Sequence, residues 1–273
     1  MERELTSWFL QNQRDLPWRK STPWGVMISE FMLQQTPVIR VLPKWQEWID
    51  RWPTPGNLAV TEKSEVIRAW GRLGYPRRAL RLWESSGIIF REYKNTVPSE
   101  VDQLLALPGV GRYTARAISS FAFNQSHNVL DINIRRVYAR VLDGVDKPSK
   151  SLKREEEDRP IFGATWSAGV MELGALICTA RNPRCEICPL SRYCSWRMEG
   201  YPEDLSEPVI KKNTWQGSMR QCRGEILQQL RDCLDLEGVK NFTWSDQSQL
   251  ERALLELEKE GFISLAKGRY RLA

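Results

Sequence analysis

The chain has 273 residues, with 40 lysines and arginines against 34 aspartates and glutamates, and a formal net charge of +6. This length suggests one or two domains with ample room for a core. The basic excess is compatible with a nucleic-acid partner without establishing one. No apolar run is long enough to span a bilayer, and charged first residues argue against a secretory signal. We therefore expect a cytoplasmic, nucleoid-associated protein.

Apolar residues recur every three or four positions through most of the first 200 residues, which predicts an all-α region. The predicted helices cover 2–13, 24–35, 38–51, 63–72, 77–94, 111–123, 133–143 and 163–177. Turn signals rich in proline and glycine, such as Pro53-Thr54-Pro55-Gly56, separate these helices. No alternating strand pattern occurs before residue 260.

The helix predicted over 24–35 is apolar around nearly its whole circumference, so it should be buried. Glu30 lies in its middle, on the same stripe as Val26, Met27 and Leu33. A lone buried carboxylate tends to keep its proton, and a general acid needs that proton at neutral pH. A structural glutamate paired with an arginine is the alternative, and these residues alone do not decide between the two.

The segment LPGVGRYTA, residues 107–115, places two glycines on either side of one apolar residue directly before a helix. Such a turn lets backbone N–H groups point outward at a helix N-terminus, which favours an anion. The apolar flanks Leu104, Leu107 and Val110 suit a helix-hairpin-helix that grips a DNA phosphate. An ordinary helix–helix turn fits the same residues.

The segment VLDINIRRV, residues 129–137, carries Asp131 between an apolar pair and an amphipathic helix. Aspartate is a favoured N-cap, so Asp131 could serve only that role. It follows the glycine turn by about twenty residues, so a helix running out and a returning loop would bring it near the turn.

Four cysteines, Cys178, Cys185, Cys188 and Cys194, follow a C-x6-C-x2-C-x5-C spacing. Four thiolates this close indicate a metal centre, either zinc or a [4Fe-4S] cluster. The spacing differs from the paired C-x2-C motifs of a zinc ribbon, which favours the cluster. Disulfides are the remaining alternative, and a reducing compartment argues against them.

The last quarter of the chain has a different pattern. Residues 201–217 are polar and aperiodic, and we interpret them as a linker. Residues 218–273 follow as a module with a helix around RGEILQQLRDCL, another around SQLERALLELEKEGF, and a hairpin turning at Lys267-Gly268. This order resembles a winged helix. The second helix is rich in glutamate, which argues against its lying in a DNA groove and favours protein contact or structural packing.

Five ordered segments together resemble the MutY-type adenine DNA glycosylases. They are SEFMLQQT, LGYPRRA, LPGVGRYTA, VLDINIRRV and MELGALICTARNPRCEICPL. The resemblance covers residues 1–200 and implies an all-α, two-lobed helix-hairpin-helix glycosylase fold with a [4Fe-4S] cluster. It implies a six-helix barrel over about 22–124 and a cluster lobe from 1–21 plus 125–200, with the winged-helix-like module beyond.

The resemblance also implies roles for four side chains. Glu30 matches the acid that protonates adenine N7, and Asp131 matches the aspartate that stabilises the positive sugar. Tyr113 stands where bifunctional relatives hold a catalytic lysine, so no Schiff base can form and an uncut abasic site is expected. Tyr113 and Asn133 are expected to flank the reacting sugar.

The expected partner is duplex DNA with an A·8-oxoguanine or A·G mispair, bound by a monomer that flips the adenine out. Gln35 and Tyr75 match residues that probe the helix beside the flipped base. The cysteine-loop arginines should face phosphate. The full set of expected DNA-binding residues is Gln34, Gln35, Tyr75, Leu107, Gly109, Val110, Gly111, Arg181 and Arg184.

Two features depart from the family pattern. Ala168 replaces a glutamine that often lines the adenine pocket. The module 218–273 is too short for the usual C-terminal domain that reads 8-oxoguanine, so it could instead bind a protein partner. Two other functions stay open: a thymine or uracil mismatch glycosylase with the same cluster, and a non-catalytic iron-sulfur protein that binds DNA.

Overall fold

A computed structural model describes residues 1–148, 163–203, 215–233 and 238–273. Its helices up to residue 123 are α1 Glu2–Asn12, α2 Pro23–Leu33, α3 Val38–Arg51, α4 Pro55–Ala59, α5 Lys63–Trp70, α6 Arg77–Glu92, α7 Val101–Leu105 and α8 Arg112–Phe123. Those that follow are α9 Ile132–Val141, α10 Ala164–Leu176, α11 Ser195–Met198, α12 Met219–Asp232 and α13 Gln247–Lys259. Two strands, β1 Ile263–Ala266 and β2 Arg269–Leu272, end the chain.

The eight helices predicted in the first 200 residues are all present, and their ends differ from the predicted ones by at most two residues. The helix predicted over 24–35 ends at Leu33, because Gln35 adopts a left-handed backbone with φ of 55°. The short helices α4 and α7 lie outside the predicted ranges, since five residues are too few to show a period.

The described chain forms two compact units. The first contains residues 1–30 and the described residues from 98 to 203, and the second contains residues 31–97 and those from 215 onward. The predicted division into a barrel over 22–124 and a cluster lobe stays a prediction. Most of the predicted linker, residues 204–214, lies outside the described residues.

In the first unit, α10 packs against both α1 and α9. Their apolar faces form one core that includes Leu5, Ile134, Val137, Val170 and Leu173. Glycine allows the close approach of α10 to α9, because a Cβ at Gly174 would meet Asn133 Cβ at 2.8 Å. This packing fixes the start of α9, where Asp131 lies.

In the second unit, Trp48 packs edge-to-face on Trp52 and Trp70, with ring centroids 4.8 and 5.4 Å apart. The C-terminal module has the predicted order of helix, helix and hairpin. Its strands pair antiparallel from Ile263↔Leu272 to Ala266↔Arg269, and Lys267-Gly268 forms the turn with φ of 51° and 70°. Two consecutive positive φ angles are typical of a two-residue hairpin turn.

No helix among the described residues combines the length and apolar character needed to cross a membrane.

Candidate active site and cluster centre

Glu30 lies in the middle of the buried helix α2, next to large apolar side chains. Met27, Ile28 and Phe31 on the same helix are 0% exposed, and Glu30 itself is 6% exposed. Burial raises the pKa of the Glu30 carboxyl to about 8, a hydrogen bond with Tyr113 lowers it, and the charge of Asp131 raises it. The carboxyl therefore holds its proton at neutral pH, which is the state of a general acid.

Asp131 caps α9, and its charge raises the pKa of Glu30. Its Oδ1 accepts a hydrogen bond from the Ile134 backbone N–H at 2.6 Å, and Oδ2 accepts one from Asn133 Nδ2 at 2.8 Å. Burial raises the pKa of Asp131, while these hydrogen bonds lower it. The N-cap and the functional interpretations are thus compatible, because the cap holds in place the carboxylate whose charge raises the pKa of Glu30.

Tyr113 is the second residue of α8, and its side chain lies near both carboxyls. Burial raises the pKa of its phenol, as do the charges of Glu30 and Asp131 and the hydrogen bond with Glu30. The phenol therefore stays protonated and donates to Glu30. The first unit thus brings together all four predicted catalytic residues, since Asn133 is bonded to Asp131.

Arg136, which the sequence reasoning did not single out, fixes the amide of Asn133. Its Nη2 donates to Asn133 Oδ1 at 2.9 Å and to the Gly174 carbonyl at 2.6 Å, and its Nε donates to the Cys178 carbonyl at 2.8 Å. Because Oδ1 is occupied, Nδ2 must point to Asp131. The segment VLDINIRRV could have predicted this contact, because Arg136 follows Asn133 by about one helical turn.

The glycine turn connects α7 to α8, which pack against each other. Leu107 and Val110 are 2% and 7% exposed and anchor the turn in the core. Gly109 is left-handed with φ of 81°, which favours glycine. Gly111 caps α8 with an ordinary φ of −94°, and a Cβ there would meet nothing within 4 Å. The described residues therefore leave open space beside Gly111, at the N-terminus of α8.

In the second unit, Arg78 holds together the two segments that carry the predicted probe residues. Its guanidinium donates to the carbonyls of Phe31, Met32 and Gly74 at 3.0, 2.8 and 2.9 Å. Burial lowers the pKa of Arg78 to about 10, so it remains charged. Its bonds thus join the segment that precedes Gln34 and Gln35 to the one that carries Tyr75.

Two of these probe residues have unusual backbones. Gln35 and Tyr75 are exposed and left-handed, with φ of 55° and 46°, and Gln34 is half-buried. Non-glycine residues in this region store strain, which often marks a functional site. Like Arg136, Arg78 was not predicted from the sequence as a residue of the site, although it lies in the segment LGYPRRA.

The sequence comparisons agree with this geometry. Residues 28–159 match the HhH-GPD superfamily base excision DNA repair protein family. An adenine DNA glycosylase of Mycolicibacterium smegmatis is 45% identical over 99% of this chain and 95% of its own length. One of Mycobacterium tuberculosis is 42% identical over 98% and 92%, and the human enzyme is 37% identical over 74% of this chain and 40% of its own. The chain belongs to the adenine DNA glycosylase family.

Solved structures confirm the fold of this glycosylase. A thermostable thymine-DNA glycosylase has a TM-score of 0.63 at 26% identity and covers 72% of this chain and 94% of its own. A non-covalent endonuclease III–DNA complex has a TM-score of 0.60 at 24% identity, with the same coverage. The predicted helix-hairpin-helix fold is therefore confirmed. The family match and the relatives above confirm the predicted adenine glycosylase activity on DNA.

The cysteine segment of the glycosylase, residues 178–194, matches the iron-sulfur binding domain of endonuclease III. All four cysteines line one cavity of the first unit and none forms a disulfide. Burial and the neighbouring thiols raise the pKa of Cys188 to about 11. Arg140 Nη1 lies 3.4 Å from Cys178 Sγ and supplies the positive charge that thiolates need.

These residues fit a [4Fe-4S] cluster. Four cysteine sulfurs are the usual donor set of such a cluster. Arg181 and Arg184 are exposed on the same loop. The predicted cluster is thus confirmed by the family match and suits the local geometry.

Proposed function

We propose that the protein excises adenine mispaired with 8-oxoguanine or guanine from duplex DNA and leaves an abasic site uncut. The observation that carries this proposal is the burial of a protonated Glu30 beside Tyr113 and Asp131. A neutral acid next to a second carboxylate is the pair required to break an N-glycosidic bond. We also propose that the protein acts as a monomer.

The reaction divides between the two carboxyls. Glu30 donates its proton to adenine N7, and the electrons of the glycosidic bond leave with the base. The Asp131 carboxylate, held by the bonds from Ile134 and Asn133, stabilises the positive charge that develops on the sugar. Water then adds to the sugar and loses a proton. Tyr113 offers no amine, so no covalent sugar intermediate forms and strand cleavage does not follow.

Recognition of DNA is assigned to surfaces in both units. Gly111 leaves room for a phosphate at the N-terminus of α8, where backbone N–H groups favour an anion. The remaining turn residues, Leu107, Gly109 and Val110, hold this N-terminus in place. The proposed contacts to the helix beside the flipped adenine come from Gln34, Gln35 and Tyr75. The proposed contacts to phosphate come from Arg181 and Arg184.

The [4Fe-4S] cluster has a structural role in this proposal. When bound through its four cysteines, it orders the loop that presents the two arginines. Neither base protonation nor sugar stabilisation transfers an electron, so every chemical step rests on the residues of the active site.

Single-turnover base release on A·8-oxoguanine, A·G, T·G and U·G duplexes tests the proposal. We expect adenine release from the first two only, and strand breaks only after added alkali. Glu30→Gln and Asp131→Asn should abolish release, whereas Glu92→Gln, an exposed acid on α6, should not. Thymine release without adenine release would contradict the substrate, and nicking without alkali would contradict the monofunctional mechanism.

A further inference from the structure

The C-terminal module packs on α5 and α6 of its own unit. Ile67 and Leu80 from these helices share a core with Ile226, Leu230 and Phe262. Polar contacts surround this core. Arg231 Nε donates to the Ile67 carbonyl at 3.2 Å, Arg72 Nε donates to Gln228 Oε1 at 3.1 Å, and Arg77 pairs with Glu260 at 3.2 Å. The module is therefore a fixed part of the second unit.

This packing places an arginine of α12 against Tyr75. Arg220 Nη1 lies 3.4 Å from the Tyr75 hydroxyl, and its guanidinium carbon lies 6.0 Å from the Tyr75 ring centroid. The same guanidinium lies 4.8 Å from the Trp215 ring. Both distances are within the range of cation–π attraction. Tyr75 and Trp215 remain 46% and 52% exposed, so solvent reaches the cluster formed by Trp215, Arg220 and Tyr75.

Its surroundings leave Arg220 available to an anion. It is the second residue of α12, at the positive end of the helix, where an anion is favoured and a cation is not. Within the described residues, Arg220 forms no ion pair. Two acids at the end of α13 are engaged elsewhere: Glu256 and the C-cap residue Glu260 both pair with Arg223 at 2.8 Å.

We propose that Arg220, stacked on Trp215 and Tyr75, binds a phosphate of the duplex, so that the C-terminal module extends the DNA-contacting surface that begins at Tyr75. Duplex DNA is the family's substrate, and its phosphate supplies the anion that Arg220 lacks. A guanidinium stacked on aromatic rings keeps its N–H edges free for phosphate oxygens. The inference rests on the proposed function in one respect, the assignment of Tyr75 to DNA.

Equilibrium binding tests the contact. Full-length protein with Glu30→Gln, which should not turn over, is titrated with A·8-oxoguanine and A·G duplexes at several salt concentrations. Adding Arg220→Ala should weaken binding of both duplexes about tenfold and make the log–log salt slope shallower by about 1. Arg220→Lys should keep the slope. Arg252→Ala, an exposed arginine on α13, should change neither quantity.

Several results would overturn the inference. One is an Arg220→Ala protein that binds with unchanged Kd and slope, and another is a loss confined to A·8-oxoguanine, which would indicate base reading. If Arg220→Ala lowers the Tm, Arg220→Gln keeps the stacked stem and provides the same comparison. Absence of adenine release by the unaltered protein would contradict the proposed function. Unchanged binding with intact release would contradict only the phosphate contact.

Discussion

Glu30 and Glu172 are both buried in the first unit, yet their carboxyls are held in opposite ways. Glu172 is 1% exposed and accepts hydrogen bonds from the backbone and side chain of Arg14 and from Arg19, at 2.8 to 2.9 Å. Burial alone would raise its pKa, but the bonds from Arg14 and the charge of Arg19 hold it below the usual range. Glu30 has a phenol and a second carboxyl as neighbours, and its pKa is about 8.

The difference shows that burial does not by itself determine what a carboxylate does. Two arginines convert Glu172 into a permanent anion that joins the segment after α1 to α10. Glu30, whose described partners are a phenol and a carboxyl, keeps its proton at neutral pH, as the proposed general acid must. The partners, and not the depth in the core, separate the structural acid from the chemical one.

The largest effect should come from Glu30→Gln, which removes the transferable proton and keeps the shape of the side chain. We expect single-turnover adenine release to fall by about 10²–10⁴-fold, the usual contribution of a general acid. Quench-flow or gel-based assays on an A·8-oxoguanine duplex measure this loss. Release within a few-fold of the unaltered rate would assign the proton to another group.

Glu30→Gln should also be more stable than the unaltered protein in alkaline solution. The folded state binds the Glu30 proton more tightly than the unfolded chain, so its stabilising contribution is complete below the unfolded pKa. That contribution is lost as the pH rises through about 8. The Tm of Glu30→Gln should therefore exceed that of the unaltered protein at pH 9, with a smaller gain at pH 5.

Glu172→Gln should have the opposite effects to Glu30→Gln: the folded protein should lose stability and keep its rate of adenine release. Removing the buried anion leaves the partly exposed Arg14 and Arg19 without their hydrogen-bond acceptor, which should cost about 1–3 kcal/mol. Denaturant unfolding should show this loss, while the protein that remains folded should release adenine at a nearly unaltered rate. An exposed pair such as Lys20–Asp15 provides the control, because Asp15→Asn should cost less than about 1 kcal/mol.

The sequence predicted that Glu30 is a buried acid, but it did not reveal the ion pairs of Glu172. Glu30 was found because an apolar helix with one acid in its middle is visible in the residues 24–35. Glu172 stands in a quoted segment, MELGALIC, but its arginine partners lie 158 and 153 residues away, and no local period reveals such a pairing.

The same limit explains the other differences between prediction and structure. The helices follow from their periods, and the C-terminal hairpin from Lys267-Gly268. The clamp by Arg78 and the contact of Arg220 with Tyr75 need the fold, because tertiary packing brings distant segments together. For Asp131, the sequence left a cap or a functional acid open, and the described geometry supports both.

A third effect is the pH dependence of adenine release by the unaltered protein. Because Glu30 must be protonated, the single-turnover rate should be level below about pH 8 and fall about tenfold per unit above it. Circular dichroism at each pH controls for unfolding. A level rate up to pH 10 would show that a different group supplies the proton.

The smallest effect should come from Tyr113→Phe, which removes the hydroxyl that donates to Glu30 and keeps the ring. That hydrogen bond favours the ionised carboxyl and so lowers the Glu30 pKa. Its loss should move the alkaline limb of the rate profile to higher pH and reduce the plateau rate less than tenfold. A purely structural tyrosine would change the Tm and leave the limb in place, whereas a limb moved to lower pH would mean that the phenol had stabilised the neutral acid. The position of this limb therefore measures how far one hydroxyl offsets the effect of burial on the Glu30 pKa, as two arginines offset it at Glu172.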